Sequence, residues 1–145
     1  MAELKAGDID AVTDPSVSDI RDEWNWVRPG IEELLAAQPQ LTYRPEDVYA
    51  KCVNGDAVLW TTDEGFLVTN VLYDEYSKDK IFFIWIAWAK KRGGANGIKH
   101  VPFFCTEAKK AGLNKIQFQS KTDAPIDFFT KNGWQVDTIV YTRGL

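Results

Sequence analysis

Residues 90–100, "KKRGGANGIKH", combine three lysines, one arginine and three glycines in a short stretch. An apolar run precedes the stretch and an amphipathic run follows it, which indicates a turn between a strand and a helix. Backbone N–H groups and a helix N-terminus attract an anion at such a turn, and glycines let the backbone come close. The stretch therefore predicts a phosphate-binding turn. A Gly-rich turn alone is a weak signal, and it also occurs as a plain connection.

Carboxylates and tyrosines near predicted strand ends are the candidates for proton transfer. Glu64, Asp74 and Glu75 could act as bases, and Tyr73 and Tyr76 could act as acids. All five also fit solvated loops or strand ends, which is the simpler interpretation of each. We select Glu64, Tyr73 and Glu75 as the catalytic candidates.

The single histidine, His100, lies at the predicted start of a helix. It could cap that helix or touch a phosphate, but a surface position is the simplest interpretation. Cys52 and Cys105 have no motif spacing, which favours two free thiols over a disulfide. No cluster of ligand residues predicts a metal site.

Size and charge limit the classes of function. A chain of 145 residues predicts one domain, residues 1–145. A net charge of −4 and a pI near 5.0 argue against binding to nucleic acid or to an anionic membrane. No apolar run approaches the ~20 residues of a membrane span, and the start "MAELKAGDID" lacks an apolar signal segment. We expect a cytoplasmic protein.

Two prolines, Pro29 and Pro45, limit where the first helices can begin or continue. "LKAGDIDAVT" predicts a short strand, and residues 14–39 predict helical material with apolar side chains three and four positions apart. Pro29 predicts a break or a bend in it, either as two short helices or as one bent helix. "RPEDVYAKCVNG" predicts a helix with Pro45 in its first turn and Gly55 at its end.

Three strands should follow as an antiparallel meander: "DAVLWTT", "FLVTNVLY" and "KIFFIWIAWA". The third is apolar on both faces, which predicts a position inside the sheet. Trp85 and Trp88 are three residues apart, so a regular strand would point them to opposite faces.

The last third predicts a helix, "VPFFCTEAKKAG", that ends at Gly112, and a strand, "KIQFQS". A short helix should end at Gly133, and "WQVDTIVYTRGL" predicts a final strand. The order predicts an α+β fold, with a mixed, mostly antiparallel sheet of about six or seven strands and helices on both faces.

This element order, with the motifs between residues 81 and 141, resembles the GNAT superfamily of acetyl-CoA-dependent N-acetyltransferases. The family's pyrophosphate-binding turn, Q/R-x-x-G-x-G/A, follows its fourth strand, and a later segment resembles A-x-x-x-Y-x-x-x-G-F. Here these are "RGGANG" and "DFFTKNGWQV". The resemblance implies acetyl-CoA as cofactor, with the turn at its phosphates. The implied cofactor-binding residues are Ile86, Ala87, Arg92, Gly93, Gly94, Ala95, Asn96 and Gly97. The backbone amides of Ile86 and Ala87 would polarise the thioester carbonyl.

The sequence departs from the family pattern at three positions. Ala95 stands where the motif has its first glycine. Pro102 lies five residues after Gly97, so the helix either starts late or is kinked. Phe129 stands where many members have a tyrosine that protonates the leaving thiolate, and phenylalanine cannot do so.

Two functions follow from the resemblance. One is an acetyl-CoA-dependent N-acetyltransferase whose acceptor enters near the first helices and the loop "YDEYSKDK", where acidic groups suit a cationic amine. The alternative is a catalytically degenerate GNAT-like protein of the kind that tailed phages encode, acting as a virion or assembly component through protein–protein contacts. The three departures favour the alternative, and the retained Arg92 and glycines favour the enzyme.

Overall fold

The computed structural model describes residues 13–91, 99–120 and 126–145, the last range without the side chains of 126–128. Within these ranges lie five strands, β1 (Ser16–Ser18), β2 (Val58–Thr61), β3 (Gly65–Tyr73), β4 (Lys80–Ala89) and β5 (Lys115–Phe118). Four helices accompany them, α1 (Ile20–Ala37), α2 (Pro45–Val53), α3 (Val101–Lys110) and α4 (Ile126–Lys131). The predicted α+β class is confirmed. The strand number is five among the described residues, rather than six or seven.

The strands form one mixed sheet in the order β1-β2-β3-β4-β5. Neighbours from β1 to β4 are antiparallel, and β4 and β5 are parallel. The predicted meander is confirmed, and β4 lies inside the sheet between β3 and β5. The parallel pair needs a crossover connection, and α3 lies in it.

One irregularity interrupts the pairing of β3 with β4. Val68 pairs with Ile86 while the next residue, Thr69, pairs with Ile84, so Trp85 is an extra residue on β4. This is a β-bulge, which breaks the alternation of side chains along the strand. As a result Trp85, Ile86 and Trp88 all pack into the same core cluster. The prediction that Trp85 and Trp88 face opposite sides is wrong, because it assumed a regular strand.

Helices α1 and α2 cover one face of the sheet. Their shared core contains Ile20, Val27, Ile31, Val48, Ala57, Leu59, Phe66, Val68 and Ile86. α1 runs through Pro29 without a break, so the alternative of two short helices is wrong. The next residue must be small, because a Cβ at Gly30 would lie 2.7 Å from Cε2 of Phe66 and 2.9 Å from Cδ2 of Trp88.

Helix α3 covers part of the other face. Phe104 and Ala108 pack there against Trp60, Leu67, Phe82 and Ile84. Trp60 Nε1 donates to the buried Thr69 Oγ1 at 2.8 Å, so the polar atoms of both side chains are satisfied within this core.

Several predicted helix ends are confirmed. In α2, Pro45 occupies the first turn, and Asp47 Oδ2 accepts from the backbone N–H of Arg44 at 2.9 Å. Gly112 and Gly133 adopt φ values of +77° and +88° just after α3 and α4, a conformation that glycine adopts without steric cost.

The two terminal strand predictions fare differently. The predicted first strand lies almost wholly outside the described residues, and Ser16–Ser18 forms a strand where helical material was predicted. The predicted last strand is wrong, because residues 134–145 have no strand pairing. Trp134 packs on Phe118, so the segment begins beside β5 without joining it. An alternating pattern favours an extended chain, but a strand also needs a partner backbone in register.

Among the described residues, no helix has both the length and the apolar character needed to cross a membrane.

Candidate functional site

The two halves of β4 have different neighbours. Ile81 to Ile84 pair with Lys115 to Phe118 of β5 on one side and with β3 on the other. From Trp85 onward, β3 is the only strand that pairs with β4 among the described residues. We call residues 80–84 the closed half and residues 85–89 the open half. An extended backbone with an available edge can hydrogen-bond to an extended ligand.

Two predicted cofactor-binding residues lie in the open half. Ile86 is buried and directs its side chain into the α1/α2 core. Ala87 pairs with Leu67 and is exposed. On the face of the sheet that α3 partly covers, β4 therefore presents only the methyl group of Ala87 at this position. The six other predicted residues, Arg92, Gly93, Gly94, Ala95, Asn96 and Gly97, lie outside the described residues, and their role stays a prediction.

Large aromatic rings could have filled the space beside the open half. The contacts place them elsewhere. Phe103 packs edge-on against Trp60 of β2, with ring centroids 5.6 Å apart. Trp85 meets Tyr43 on the α1/α2 side, and Trp88 stacks on Phe66 at 5.4 Å. The open half is therefore compatible with a ligand lying along it.

Pro102 of α3 lies two residues after a turn residue, His100, that separates two helical stretches. The helix begins at Val101, and Pro102 lies in its first turn, where no intrahelical N–H partner is needed. Lys99 is itself helical and His100 is a turn residue, so the helical backbone is interrupted just before Pro102. Residues 92–98 lie outside the described residues, and the choice between a late start and a kink stays a prediction.

The three predicted catalytic residues do not come together. Glu64 lies in the β2–β3 turn, next to the open half, where its carbonyl accepts from Lys90 N at 2.7 Å. Tyr73 pairs with Lys80 at the other end of β3. The nine-residue length of β3 separates the two by about 30 Å. Glu75 follows Tyr73 in the β3–β4 loop, and both side chains are exposed.

Glu64 is one partner in a charged cluster at the end of β4. Its carboxylate forms an ion pair with Lys99, just before α3. His100 follows and is only 3% exposed, so the prediction of a surface histidine is wrong. It occupies the N-cap position, yet its side chain makes no capping hydrogen bond. Burial, and then the charge of Lys99, lowers the pKa of His100, so the imidazole is neutral at pH 7.

The loop at the far end of the sheet is acidic and ordered by its own side chains. Asp74 Oδ1 accepts from the backbone N–H groups of Tyr76 and Ser77 at 2.9 and 3.2 Å. These bonds lower the pKa of Asp74, and Lys115 lowers that of Asp79. Both carboxylates are therefore ionised well below neutral pH. Asp74 lies about 17 Å along β3 from the bulge, which allows contact with a long ligand but not with its reacting atoms at the bulge.

Sequence reasoning missed Tyr43. It lies in the connection between α1 and α2, and its ring packs edge-on against Trp85, the extra residue of the bulge, at 5.2 Å. Burial raises the pKa of Tyr43, so the phenol keeps its proton at neutral pH. Its place just before Pro45, which starts α2, was visible in the sequence, but the packing on the bulge was not.

Phe129 lies close to the point where β4 and β5 part. Its ring centroid is 4.9 Å from that of Phe118, the last residue of β5 that pairs with β4, and 6.3 Å from that of Trp134. Phe118 and Trp134 are also 4.9 Å apart. The position that carries a tyrosine in many GNAT enzymes is thus part of an aromatic cluster here.

Neither cysteine is set up as a nucleophile. Cys52 and Cys105 are free thiols, as predicted, and both are half-buried. Burial raises the pKa of Cys52 to about 11, which leaves it protonated at neutral pH.

Comparison with known proteins identifies the fold. No family model and no curated protein sequence matches the chain. A ribosomal-protein-alanine N-acetyltransferase from Brucella melitensis biovar Abortus aligns over 92% of this chain and 100% of its own, with a TM-score of 0.65 and 11% identity. An aminoglycoside acetyltransferase from an uncultured soil metagenomic sample aligns over 94% and 99%, with a TM-score of 0.61 and 16% identity. An acetyltransferase from Trypanosoma brucei aligns over 91% and 99%, with a TM-score of 0.61 and 12% identity.

The chain therefore has the GNAT acetyltransferase fold, as the sequence resemblance implies. At 11 to 16% identity this likeness concerns the fold, and the activity has to be argued from the site.

Proposed function

We propose that this protein is an acetyl-CoA-dependent N-acyltransferase. The observation that carries the proposal is the open half of β4, which follows a bulge, leaves the pairing with β5 and has only the small Ala87 exposed beside it. The shared fold supports the proposal, because acetyltransferases are among the neighbours that match over nine-tenths of the chain.

The residues present fit such a cofactor. The rings of Phe103, Trp85 and Trp88 pack away from the gap between β4 and β5. Ile86 and Ala87 would hold the thioester end through their backbone, and the turn at residues 92–97 would hold the phosphates. When bound, acetyl-CoA supplies an acyl group activated as a thioester.

The chain itself must orient the acceptor and move protons. Tyr43 is the tyrosine that packing brings to the bulge, and its phenol carries a proton at neutral pH that it could donate. Of the three predicted candidates, Glu64 is the one next to the open half, but it is paired with Lys99. Tyr73 and Glu75 fit contact with a distant part of the acceptor better than proton transfer.

The acceptor in this proposal is a cationic amine. Asp74 and Asp79 are ionised at neutral pH and lie in the β3–β4 loop, where they would attract positive charge. The neighbour that is a ribosomal-protein-alanine N-acetyltransferase agrees with transfer to nitrogen.

A second candidate is a protein that binds coenzyme A, or a protein partner, without transfer. The cluster of Phe118, Phe129 and Trp134 favours it, because an aromatic ring without a hydroxyl stands near the parting of the strands. A virion or assembly component of a tailed phage is one form of this alternative.

Calorimetric titration with acetyl-CoA tests the proposal. We expect saturable binding that is at least about tenfold weaker in Arg92→Ala, because a phosphate contact is charge-assisted. Lys110→Ala, at the far end of α3, serves as the matched control and should bind like the wild type. Release of free thiol with a panel of amines then separates transfer from binding alone. No heat and no thermal shift at millimolar acetyl-CoA would contradict both the transferase and the protein that binds coenzyme A without transfer.

A further inference from the structure

Three elements meet at the end of the open half of β4. The β2–β3 turn is closed by a backbone hydrogen bond from Thr62 N to Gly65 O at 2.9 Å. The next residue after β4, Lys90, donates its backbone N–H to Glu64 O at 2.7 Å. The Glu64 carboxylate then reaches Lys99 at the start of α3. The backbone of Glu64 is thus held at two strands, while the Lys99 side chain has Glu64 as its one ion-pair partner among the residues that the structure describes.

His100 adds an unsatisfied polar group to this cluster. Its Nε2 atom is buried and has no hydrogen-bond partner among the residues that the structure describes. Buried polar atoms are nearly always hydrogen-bonded, and a missing partner points to a ligand, an ion or water. The charged groups that act on His100 are Lys99, Glu64 and Asp14.

We propose that Lys99 is an exchangeable cation, held by Glu64 in the ligand-free protein and transferred to the phosphate of an anionic ligand, which also takes a hydrogen bond from His100 Nε2. The inference rests on the proposed function, since coenzyme A is the phosphate ligand in question. It adds a regulatory step that the fold does not require: Glu64 competes with the ligand.

The balance of this exchange favours the ligand. The Lys99 and Glu64 side chains are 28% and 44% exposed, and ion pairs at such positions contribute little to stability. The pyrophosphate of coenzyme A as a whole carries two negative charges and more acceptor atoms than a carboxylate, so Lys99 can leave Glu64 at small cost. The backbone of Glu64 cannot move with Lys99 towards the ligand, because the β2–β3 turn is hydrogen-bonded to Lys90 at the end of β4.

Three substitutions measure the competition. Glu64→Gln should bind coenzyme A about two- to fivefold more tightly, because Lys99 is no longer held elsewhere. Lys99→Gln should bind about tenfold more weakly, and the double variant should show no further gain from the loss of Glu64. The control is Lys110→Gln, which breaks the 3.2 Å pair with Glu107 at the other end of α3 and should leave the affinity unchanged.

The only histidine of the chain reports the exchange directly, because its NMR signals need no assignment. In the ligand-free protein the pKa of His100 should lie below its ordinary value. Bound coenzyme A, or inorganic pyrophosphate as a probe without the pantetheine arm, should raise it, since a nearby anion favours the imidazolium. Without ligand, Lys99→Gln should also raise it and Glu64→Gln should lower it further.

The outcomes separate this inference from the proposed function. If acetyl-CoA binds but the His100 titration and the Glu64→Gln affinity do not change, the exchange is refuted and the transferase proposal stands. If neither coenzyme A nor pyrophosphate binds, both are refuted. Thermal unfolding of each variant shows whether a loss of affinity comes from a loss of structure, and His100→Gln, which keeps a polar group, must bind more weakly while remaining folded.

Discussion

The closed and open halves of β4, "KIFFI" and "WIAWA", are both mostly apolar, but they have different neighbours in the structure. The closed half is tied to the start of β5 by Asn114, which accepts from Lys80 N at 2.9 Å and donates its own N–H to Lys80 O at 2.8 Å. An ion pair between Asp79 and Lys115 at 2.9 Å adds to this. The open half has no neighbouring strand on that side among the described residues.

The comparison shows that apolar side chains alone do not separate a structural strand from a binding strand. Phe82 and Ile84 of the closed half are buried under α3, and Trp85 and Trp88 of the open half are anchored in the α1/α2 core. Both halves are therefore held firmly by side chains. What differs is the backbone edge, which is used in one half and available in the other.

Removing a core side chain from the closed half should have the largest effect. Phe82 packs against Phe104 with ring centroids 5.5 Å apart, so Phe82→Ala should lower the free energy of unfolding by about 3–5 kcal/mol. Chemical denaturation measures the loss. Molecules that remain folded should still bind acetyl-CoA, and a selective loss of binding with normal stability would contradict the division into halves.

A bulky side chain on the open half should leave the stability nearly unchanged and weaken the binding of acetyl-CoA. Ala87→Leu adds volume at an exposed position, so stability should change by less than about 0.5 kcal/mol. Acetyl-CoA binding should weaken at least about tenfold, because the added side chain occupies the space beside the strand. Ala50→Leu, at an exposed position of α2, is the matched control. Equal affinity of the two variants would show that the cofactor does not lie along the open half.

A hydroxyl group added where β4 and β5 separate should have a moderate effect on catalysis. Phe129→Tyr should raise kcat by up to about tenfold with little change in KM for acetyl-CoA, because it adds a proton donor rather than a binding group. Phe103→Tyr places the same change over β2 and should not alter kcat. A lower kcat in Phe129→Tyr would indicate that Tyr43 already fills this role.

The ion pair at the closed end should have the smallest effect. The pKa of Asp79 is lowered by Lys115, and that of Lys115 is raised by Asp79. Their stabilisation is therefore complete between about pH 4 and pH 10, is lost at lower pH as Asp79 protonates, and is lost at higher pH as Lys115 deprotonates. Asp79→Asn should be slightly less stable than the wild type at pH 7, with the difference vanishing near pH 2. A difference that persists there would mean that Asp79 acts through packing.

Much of the fold could be predicted because its signals are local. Pro45 followed by acidic residues marked the start of α2, and Gly112 and Gly133 marked the ends of α3 and α4. The errors concern features that depend on distant partners. Residues 134–145 alternate like a strand but pair with nothing in the described chain. His100 lies in a polar stretch, and its burial depends on how the start of α3 packs against the rest of the fold.

The candidate site was predictable only in part. The resemblance drew attention to Ile86 and Ala87, and the structure places them on the open half. The same sequence pattern grouped Glu64 with Tyr73 and Glu75, although the length of β3 keeps Glu64 about 30 Å or more from the other two. Tyr43 was missed because its contact with Trp85 joins residues that are far apart in the sequence.

The sequence by itself determined α1 to α4 and the strands β2 to β5, because propensity, capping and periodicity act over a few residues. The tertiary structure alone decided where β4 parts from β5, on which face Trp85 and Trp88 lie, and that Glu64, Lys99 and His100 meet. These features depend on a bulge of one residue and on the register between strands, which are set by packing between elements distant in the sequence.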